Sequence, residues 1–265
     1  MRPARAITAT AALALALCLA ATPARAAGAE VPIPPATPPA APPPPTPGLL
    51  FSGDFATCDL SQWPHRQDGG RDDIAAVRSP LATRGSNCSG YYSTGPRDGL
   101  GDTAPRNELY RPADAICCNE GDVRWFRWYV RLRRDWPQRR PQGFSTILQF
   151  KSADASPGQM SFILVGDRLA LRRDGDRWAT RMTRGRWHRF LLRVVFSSRS
   201  RRGSARLWYD GRRQAVNGGR GFATLANRNG AYVKIGLYRA AGLPRAVLHH
   251  DGFRIGRTRR SVTEG

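Results

Sequence analysis

The fold is decided near the middle of the chain, in the stretch Val123-Arg124-Trp125-Phe126-Arg127-Trp128-Tyr129-Val130-Arg131-Leu132. This stretch is rich in aromatic and β-branched residues, which favour strands over helices. We therefore predict a strand over residues 123–132. The segments that follow it are likewise rich in residues that favour strands.

Further strand-like segments follow at short intervals, separated by Gly and Asp turns. Residues 161–165 and 168–172 are predicted to form a hairpin across Gly166-Asp167, and Asp210-Gly211 is predicted to turn a second hairpin. The other predicted strands are residues 144–151, 187–196, 205–209, 212–216, 232–239 and 247–255. No long helix is indicated. The pattern predicts an all-β fold, a β-sandwich or jelly roll.

The first 48 residues are predicted to lie outside the folded domain. Arg2 and Arg5 precede an apolar run, and Ala24-Arg25-Ala26 has the small-residue pattern of a signal cleavage site. We predict a signal peptide over residues 1–26, a Pro/Ala-rich disordered linker over 27–48 and one domain over 49–265. The apolar run is too short for a membrane anchor, so we expect a secreted, extracellular protein.

The chain carries 42 Lys and Arg against 20 Asp and Glu, a formal net charge of +22. Only Lys151 and Lys234 are lysines, and each falls in a predicted strand. Removal of Arg2, Arg5 and Arg25 with the signal peptide would leave +19 (22 − 3). Such a charge attracts polyanions. We expect an anionic polysaccharide rather than a nucleic acid, because no helix-turn-helix, zinc-finger or RNP-like motif is present.

Four cysteines follow the predicted cleavage site: Cys58, Cys88, Cys117 and Cys118. An even number in an exported protein indicates disulfides. Neighbouring cysteines pair with each other only under strain, so we expect Cys58 and Cys88 each to pair with one of the other two. Zinc binding is the alternative, but no CxxC pair or nearby His spacing supports it.

The predicted strand over residues 232–239 has one polar and one apolar face, because side chains alternate along a strand. Tyr232, Lys234, Gly236 and Tyr238 point one way, and the residues between them point into a core. Two tyrosines, a lysine and a glycine are an unusual set for a strand face that is merely exposed to solvent. We expect Gly236 to leave room for a close approach beside Tyr238.

Two other strands have matching polar faces. Gln149 shares a face with Lys151, and Arg106 shares a face with Glu108. If the three strands lie in one sheet, they line a concave substrate-binding surface with Arg, Glu, Gln, Lys and Tyr. A cross-strand ion pair on an exposed surface is the alternative for Arg106 and Glu108, and Glu108 would then serve to orient Arg106.

Three segments occur in a fixed order along the chain: Arg106-Asn107-Glu108-Leu109, Gln149-Phe150-Lys151, and Tyr232-Val233-Lys234-Ile235-Gly236-Leu237-Tyr238-Arg239. This order resembles the jelly-roll polysaccharide lyases, in particular a bacterial family related to heparin lyase I, glucuronan lyase and alginate lyase. The chain is also similar to that family at Asp59-Leu60-Ser61-Gln62-Trp63. The resemblance implies a concanavalin-like β-jelly roll that cleaves a uronate polymer by β-elimination.

The resemblance also implies roles for individual residues. Tyr238 would be the catalytic acid and base, and the residues that neutralise the uronate carboxylate would be Arg106, Gln149 and Lys151. The implied substrate-binding residues are Lys234, Tyr232, Glu108 and Arg239, although Arg239 faces away from Tyr238. No cofactor is required for this reaction. A structural calcium ion at Asp54 and Asp251 remains open, and we expect a monomer.

One position departs from the family pattern, since Lys151 stands where many relatives have His. An ammonium would neutralise or bind the substrate and leave both proton transfers to Tyr238. The alternatives are a lyase for another polymer and a non-catalytic, lectin-like protein that binds acidic carbohydrate. A glycoside hydrolase is disfavoured, because the strands lack two carboxylates on one face. The four histidines, His65, His188, His249 and His250, are not expected to be catalytic.

Overall fold

A computed structural model describes residues 46–69, 74–78, 87–96, 104–111, 117–137, 143–152, 154 and 160–264. All of them belong to one unit, Pro44–Gly265. The predicted signal peptide and nearly all of the predicted linker lie outside the described residues. Within the described ranges, no helix is long and apolar enough to cross a membrane.

The described residues form fifteen strands and one short α-helix. The strands are β1 (Leu49–Gly53), β2 (His65–Gln67), β3 (Ile74–Arg78), β4 (Cys88–Thr94), β5 (Arg106–Arg111), β6 (Val123–Leu132), β7 (Ser145–Ser152), β8 (Ser161–Val165), β9 (Arg168–Arg172), β10 (Asp176–Arg181), β11 (Trp187–Val195), β12 (Ser204–Tyr209), β13 (Arg212–Gln214), β14 (Ala231–Arg239) and β15 (Ala246–Gly256). The helix α1 is Arg259–Thr263, and a short 3₁₀ helix covers Val216–Gly219.

The strands form two antiparallel sheets. One has seven strands in the order β10-β9-β8-β7-β14-β5-β2, and the other has eight, β13-β12-β11-β6-β15-β4-β3 with β1 paired to β15. The chain passes between the sheets repeatedly, since β5 and β7 lie in the first while β4 and β6 lie in the second. This is the two-sheet arrangement of a jelly roll, so the predicted fold class is confirmed.

Buried and outward-facing residues alternate along β6, and the buried ones contribute to the core. Phe126, Trp128, Val130 and Leu132 are fully buried, while the residues between them face outward and are half-buried. Trp128 stacks on Phe190 of β11, with ring centroids 4.7 Å apart. Burial of such aromatic side chains between the two sheets stabilises the fold through the apolar area removed from water.

Several predicted elements are confirmed. Residues 123–132 form β6 with the predicted bounds, and Val165 pairs with Arg168 across the predicted hairpin turn. Tyr209 pairs with Arg212 across the second turn, where Asp210 and Gly211 both have positive φ. The strand predicted over 212–216 is shorter, because a 3₁₀ helix begins at Val216.

The predicted disulfide pairing is wrong. Cys58 and Cys88 are bonded to each other, with their Cα atoms 5.2 Å apart, inside the usual range for a disulfide. They lie together because β4 begins at Cys88 beside the loop that follows β1. Cys117 and Cys118 are left to pair as neighbours, and Cys118 has a positive φ of 96°.

Three of the four histidines lie in the eight-stranded sheet. His188 is buried, and its Nδ1 and Nε2 lie 2.8 Å from Asp210 Oδ2 and 2.8 Å from the Thr183 carbonyl oxygen. His250 is also fully buried and donates from Nε2 to the Gly236 carbonyl oxygen across the core (3.4 Å). Burial lowers the pKa of His250 to about 3.

The stability of the fold should decrease in acid because of His250. An unfolded histidine binds a proton below pH ~6.5, whereas folded His250 stays neutral down to about pH 3. The free energy of unfolding should therefore fall by about 1.4 kcal/mol per pH unit for this histidine as the pH drops below ~6.5. His250→Gln should remove that contribution, measured as the slope of urea-unfolding free energy against pH between 6.5 and 4.5.

The exposed His65 provides the matched control, because His65→Gln makes the same substitution outside the core. An identical slope in wild type and His250→Gln would show that His250 is not the group responsible.

Candidate active site

The three strands predicted to carry a site are adjacent in the seven-stranded sheet. β14 pairs with β5 on one side and with β7 on the other. Lys234 lies opposite Gln149, Tyr232 opposite Lys151, and Tyr238 opposite Arg106. We call the outward side of these strands the β14 face; its side chains are Arg106, Glu108, Tyr110, Gln149, Lys151, Tyr232, Lys234 and Tyr238.

Gly236 permits a close approach, as we expected, but the group that approaches is the backbone of β5. A Cβ on Gly236 would lie 2.2 Å from the Asn107 carbonyl oxygen and 2.8 Å from Glu108 Cα. The residue has φ +140°, at a register shift between β14 and β7 that falls between Ile235 and Tyr238. Glycine is needed here because the backbone of β5 approaches closely.

Glu108 is the centre of a buried polar network. Its Oε2 lies 2.6 Å from Lys234 Nζ, and its Oε1 accepts a hydrogen bond of 2.6 Å from Gln149 Nε2. Lys234 Nζ also donates to Gln67 Oε1 of β2, at 2.6 Å. Glu108 and Lys234 are only 1% and 4% exposed. The carboxylate is therefore paired with Lys234 rather than with Arg106, and Lys234 lies beneath the surface on which we expected it to bind substrate.

Arg106 stacks on the ring of Tyr238 instead. Its guanidinium carbon lies 4.2 Å from the ring centroid, and Phe144 packs edge-on against the same ring at 5.1 Å. Both Arg106 and Tyr238 remain half-buried rather than enclosed. The cation–π contact fixes the orientation of the phenol and holds a positive charge beside it.

A group of aromatic side chains lies at the other end of the face. Tyr110 lies between Tyr232, at 5.8 Å, and His65, which stacks on it at 5.2 Å. Burial, Tyr110 and Glu108 raise the pKa of Tyr232, so Tyr232 is a neutral phenol. It is suited to donate a hydrogen bond rather than to accept a proton. Lys151 is half-buried on β7 opposite Tyr232.

The sequence-based predictions missed Tyr110 of this face and two residues of the neighbouring strand β2, Gln67 and His65. Tyr110 continues the alternation of Arg106 and Glu108 along β5, so it could have been found. Gln67 and His65 lie on β2, a three-residue strand that has no recognisable pattern.

Arg239 does not belong to the β14 face, which corrects its predicted role in substrate binding. It is 3% exposed and points between the sheets. Its guanidinium donates to the carbonyl oxygens of Thr94 (3.3 Å) and Pro244 (2.5 Å) and to Ser145 Oγ (3.2 Å). Burial lowers the pKa of Arg239 to about 10. Position 239 follows Tyr238 directly and therefore takes the opposite side of the strand.

No group of three or more His, Cys, Asp or Glu side chains that could hold a metal ion occurs among the described residues. Asp54, one of the two residues considered for calcium, accepts hydrogen bonds from Ser52 Oγ (2.8 Å) and Gln62 Nε2 (2.9 Å) and lies 3.3 Å from Arg254. Its carboxylate is thus already satisfied by protein groups, and nothing in this geometry favours a calcium site.

A model of the family described as "Polysaccharide lyase" matches residues 55–254, which include every residue of the β14 face. The chain belongs to the polysaccharide lyase family. The predicted enzyme class is confirmed at that level, and the closer relation to heparin lyase I stays a prediction. The search of curated proteins found no match to this lyase.

Solved structures share the fold of the lyase. An endo-β-1,4-glucuronan lyase from the fungus Trichoderma reesei has a TM-score of 0.60 at 16% identity, over 81% of this chain and 98% of that one. A GH131 β-glucanase catalytic domain from Podospora anserina has a TM-score of 0.58 at 14% identity, over 79% and 96%. An alginate lyase of family 7 has 0.50 at 11%, over 71% and 83%. At these identities the likeness shows the fold alone.

Removal of one partner of the buried pair of Glu108 and Lys234 should destabilise the fold strongly, whereas replacement of both charges should destabilise it little. Lys234→Met leaves the Glu108 carboxylate buried without its counter-ion and should lower the free energy of unfolding by about 3–5 kcal/mol. In the double variant Lys234→Met/Glu108→Gln no buried charge remains, so most of that stability should return. Urea unfolding of the three proteins measures both effects.

An exposed pair in the same sheet provides the control. Arg168 lies 2.6 Å from Asp176 and is 51% exposed, so Arg168→Gln should change the stability by less than about 1 kcal/mol. A loss in Lys234→Met no larger than that of Arg168→Gln would contradict the buried-pair account.

Proposed function

We propose that this secreted lyase cleaves a uronate-containing, unsulfated or lightly modified polysaccharide by β-elimination on the β14 face. The observation that carries the proposal is the distribution of charge around Tyr238. The guanidinium of Arg106 stacks on the phenol, and Gln149 and Lys151 lie farther along the same face. The only carboxylate of β5, β7 and β14, Glu108, is ion-paired and buried. A site of this composition favours an anionic substrate.

The same observation argues against hydrolysis, although a β-glucanase shares the fold. Glycoside hydrolysis uses two carboxyl groups that flank the bond to be cut, one of them as the acid. Glu108 has no second carboxylate beside it on these three strands, and its own oxygens are held by Lys234 and Gln149. Elimination needs no such pair.

In the proposed reaction the C5–H bond and the C4–O4 bond of the uronate break, and a C4–C5 double bond forms. Removal of the C5 proton builds negative charge on the adjacent carboxylate. Arg106, Lys151 and the second amide proton of Gln149 stabilise that charge. Because Glu108 accepts the other amide proton, it fixes which way the Gln149 amide group points.

Tyr238 performs both proton transfers in this scheme. As the phenolate it takes the C5 proton, and the phenol so formed gives that proton to the departing O4. The stacked Arg106 and the edge-on Phe144 restrict the ring to one orientation. Tyr232, whose pKa is raised, donates a hydrogen bond to the polymer farther along the face.

Replacement of Tyr238 by Phe keeps the ring and its contact with Arg106 but removes the proton carrier. Tyr238→Phe should lower kcat by about 10²–10⁴-fold. The assay follows the ultraviolet absorbance of the unsaturated product on glucuronan, alginate blocks, pectate, hyaluronan and heparin, with residues 49–265. Tyr232→Phe is the matched control and should cost less than about tenfold, the range of one hydrogen bond.

The same assay on these polymers, together with a binding measurement, distinguishes the lyase from the lectin-like alternative. No absorbance rise on any polymer, with binding to one of them retained, would reject the elimination scheme. A rise that persists in Tyr238→Phe would keep the lyase activity and reject the role of this residue.

Lys151 should act as a cation rather than as a base, and Lys151→His distinguishes the two. A histidine is cationic below pH ~6.5 and neutral above it. If position 151 neutralises the carboxylate, the activity of the variant relative to wild type should fall as the pH rises from 5.5 to 8. If position 151 is the base, the relative activity should rise over that range.

A further inference from the structure

A second outward surface lies on the opposite side of the sandwich. It is formed by β6, β11 and β12 of the eight-stranded sheet, with Arg259 of α1 beside it. We call it the β6 face, and its side chains are Trp125, Arg127, Tyr129, Arg189, Leu191, Arg193, Arg206 and Trp208. The two sheets lie between it and the β14 face, so one polysaccharide segment cannot contact both surfaces at the same point.

Strand register orders the β6 face into rows. In one row Trp125 of β6 lies opposite Arg193 of β11, which lies opposite Arg206 of β12. In the next row Arg127 lies opposite Leu191, which lies opposite Trp208. Arginines and aromatic rings therefore lie next to one another on three neighbouring strands, which are spaced about 4.8 Å apart.

The arginines of this face repel one another. Arg193 and Arg206 are direct cross-strand partners, a placement that is destabilising for like charges. Burial lowers the pKa of Arg193, and the charge of Arg206 lowers it further. Within the described ranges, no carboxylate forms an ion pair with Arg189, Arg193 or Arg206, whereas Arg168 and Arg172 of the other sheet share Asp176.

Aromatic platforms lie among these charges. Trp125 and Trp208 stack with ring centroids 5.6 Å apart, and the guanidinium of Arg259 lies 5.6 Å from the ring centroid of Trp208. A cavity of about 180 Å³ opens beside them, lined in part by Arg127 and Arg189. Half-exposed indole rings between unpaired guanidinium groups offer a flat apolar surface and charge-assisted donors together.

We propose that the β6 face is a second, non-catalytic binding surface for an acidic polysaccharide chain. Carboxylates of the polymer would occupy the space between Arg193 and Arg206 and relieve their repulsion, while sugar rings pack against the exposed side of the stacked Trp125 and Trp208. The choice of this polyanion rests on the proposed function, because a polyuronate that reaches the β14 face is also available to the β6 face. Two sites on one protein raise the affinity for long chains more than for short ones.

The test compares two double variants that lose the same charge. Arg193→Gln/Arg206→Gln changes the β6 face, and Arg220→Gln/Arg228→Gln removes two exposed arginines from loops. Titration calorimetry with long polyglucuronate, at fixed salt and in the Tyr238→Phe background, should show about a tenfold rise in Kd for the first variant relative to the second, equivalent to the loss of about 1.4 kcal/mol. A neutral β-1,4-glucan should not bind.

Two further measurements check that the variant is folded and that the β14 face is unaffected. Unfolding temperature should not decrease in Arg193→Gln/Arg206→Gln, because the change removes a repulsion. Cleavage of short oligosaccharides by the same variant with Tyr238 intact should match wild type. Weakened polymer binding with intact folding and intact cleavage is thus the expected pattern.

The outcomes separate this inference from the proposed function. Equal Kd values for the two double variants would overturn the inference even if Tyr238-dependent elimination is observed. Absence of elimination, with binding that depends on Arg193 and Arg206, would reject the proposed function and leave the inference standing. Tighter binding of single-stranded DNA than of polyglucuronate at the same salt, through the same arginines, would overturn the assignment to polysaccharide.

Discussion

The buried ion pair between Glu108 and Lys234 is the interaction on which the rest of the β14 face depends. A carboxylate and an ammonium removed from water are each costly, and the pair is tolerable only when both are hydrogen-bonded as well as paired. Here Gln149 and Gln67 complete the partners of the two charges. The network therefore joins four adjacent strands, β2, β5, β14 and β7, and it sets the direction in which the Gln149 amide group points. The ammonium of Lys234 contacts two oxygens from different strands, which suits a compact charge better than a planar guanidinium and accounts for one of the two lysines in an arginine-rich chain.

A second constraint acts from beneath the same strands. Gly236 lets β5 approach, and the register shift beside it separates the pairing of Ile235 from that of Tyr238. His250 of the opposite sheet donates to the Gly236 carbonyl oxygen, and its neutral state avoids adding a further charge to the core. The position of Tyr238 is therefore determined by backbone packing that involves both sheets, and not by the side chains of the face alone.

The sequence was sufficient to predict the fold and to place several polar residues on one face of one sheet, but not the partners of those residues. Alternation alone places Arg106, Glu108, Gln149 and Tyr238 on one side of three strands, and the structure brings those strands together. Which cation pairs with Glu108 depends on side-chain reach across the register, and the structure selects Lys234 where we considered Arg106. Arg239 and Gly236 show the same limit, since the carbonyl oxygens and close backbone that explain them come from β4, from the turn after β14 and from β5. The disulfides were mispredicted because pairing depends on where loops meet, and the linear spacing of Cys58 and Cys88 carries no sign of their contact.

The two outward faces differ in how far their positive charges are compensated by carboxylates. On the seven-stranded sheet Lys234 is neutralised by Glu108, and Arg168 and Arg172 share Asp176, so the positive charge near Tyr238 is confined to a few groups. On the eight-stranded sheet Arg189, Arg193 and Arg206 have no such compensation among the described residues. Long-range attraction scales with uncompensated charge and is screened beyond about 10 Å at 0.1 M salt, whereas carboxylate neutralisation in the reaction depends on groups in direct contact. Under the proposed function, an arginine-rich surface remote from Tyr238 attracts a polyuronate without adding further cations around the reacting carboxylate. Cations that hold the product as tightly as the transition state would not raise kcat.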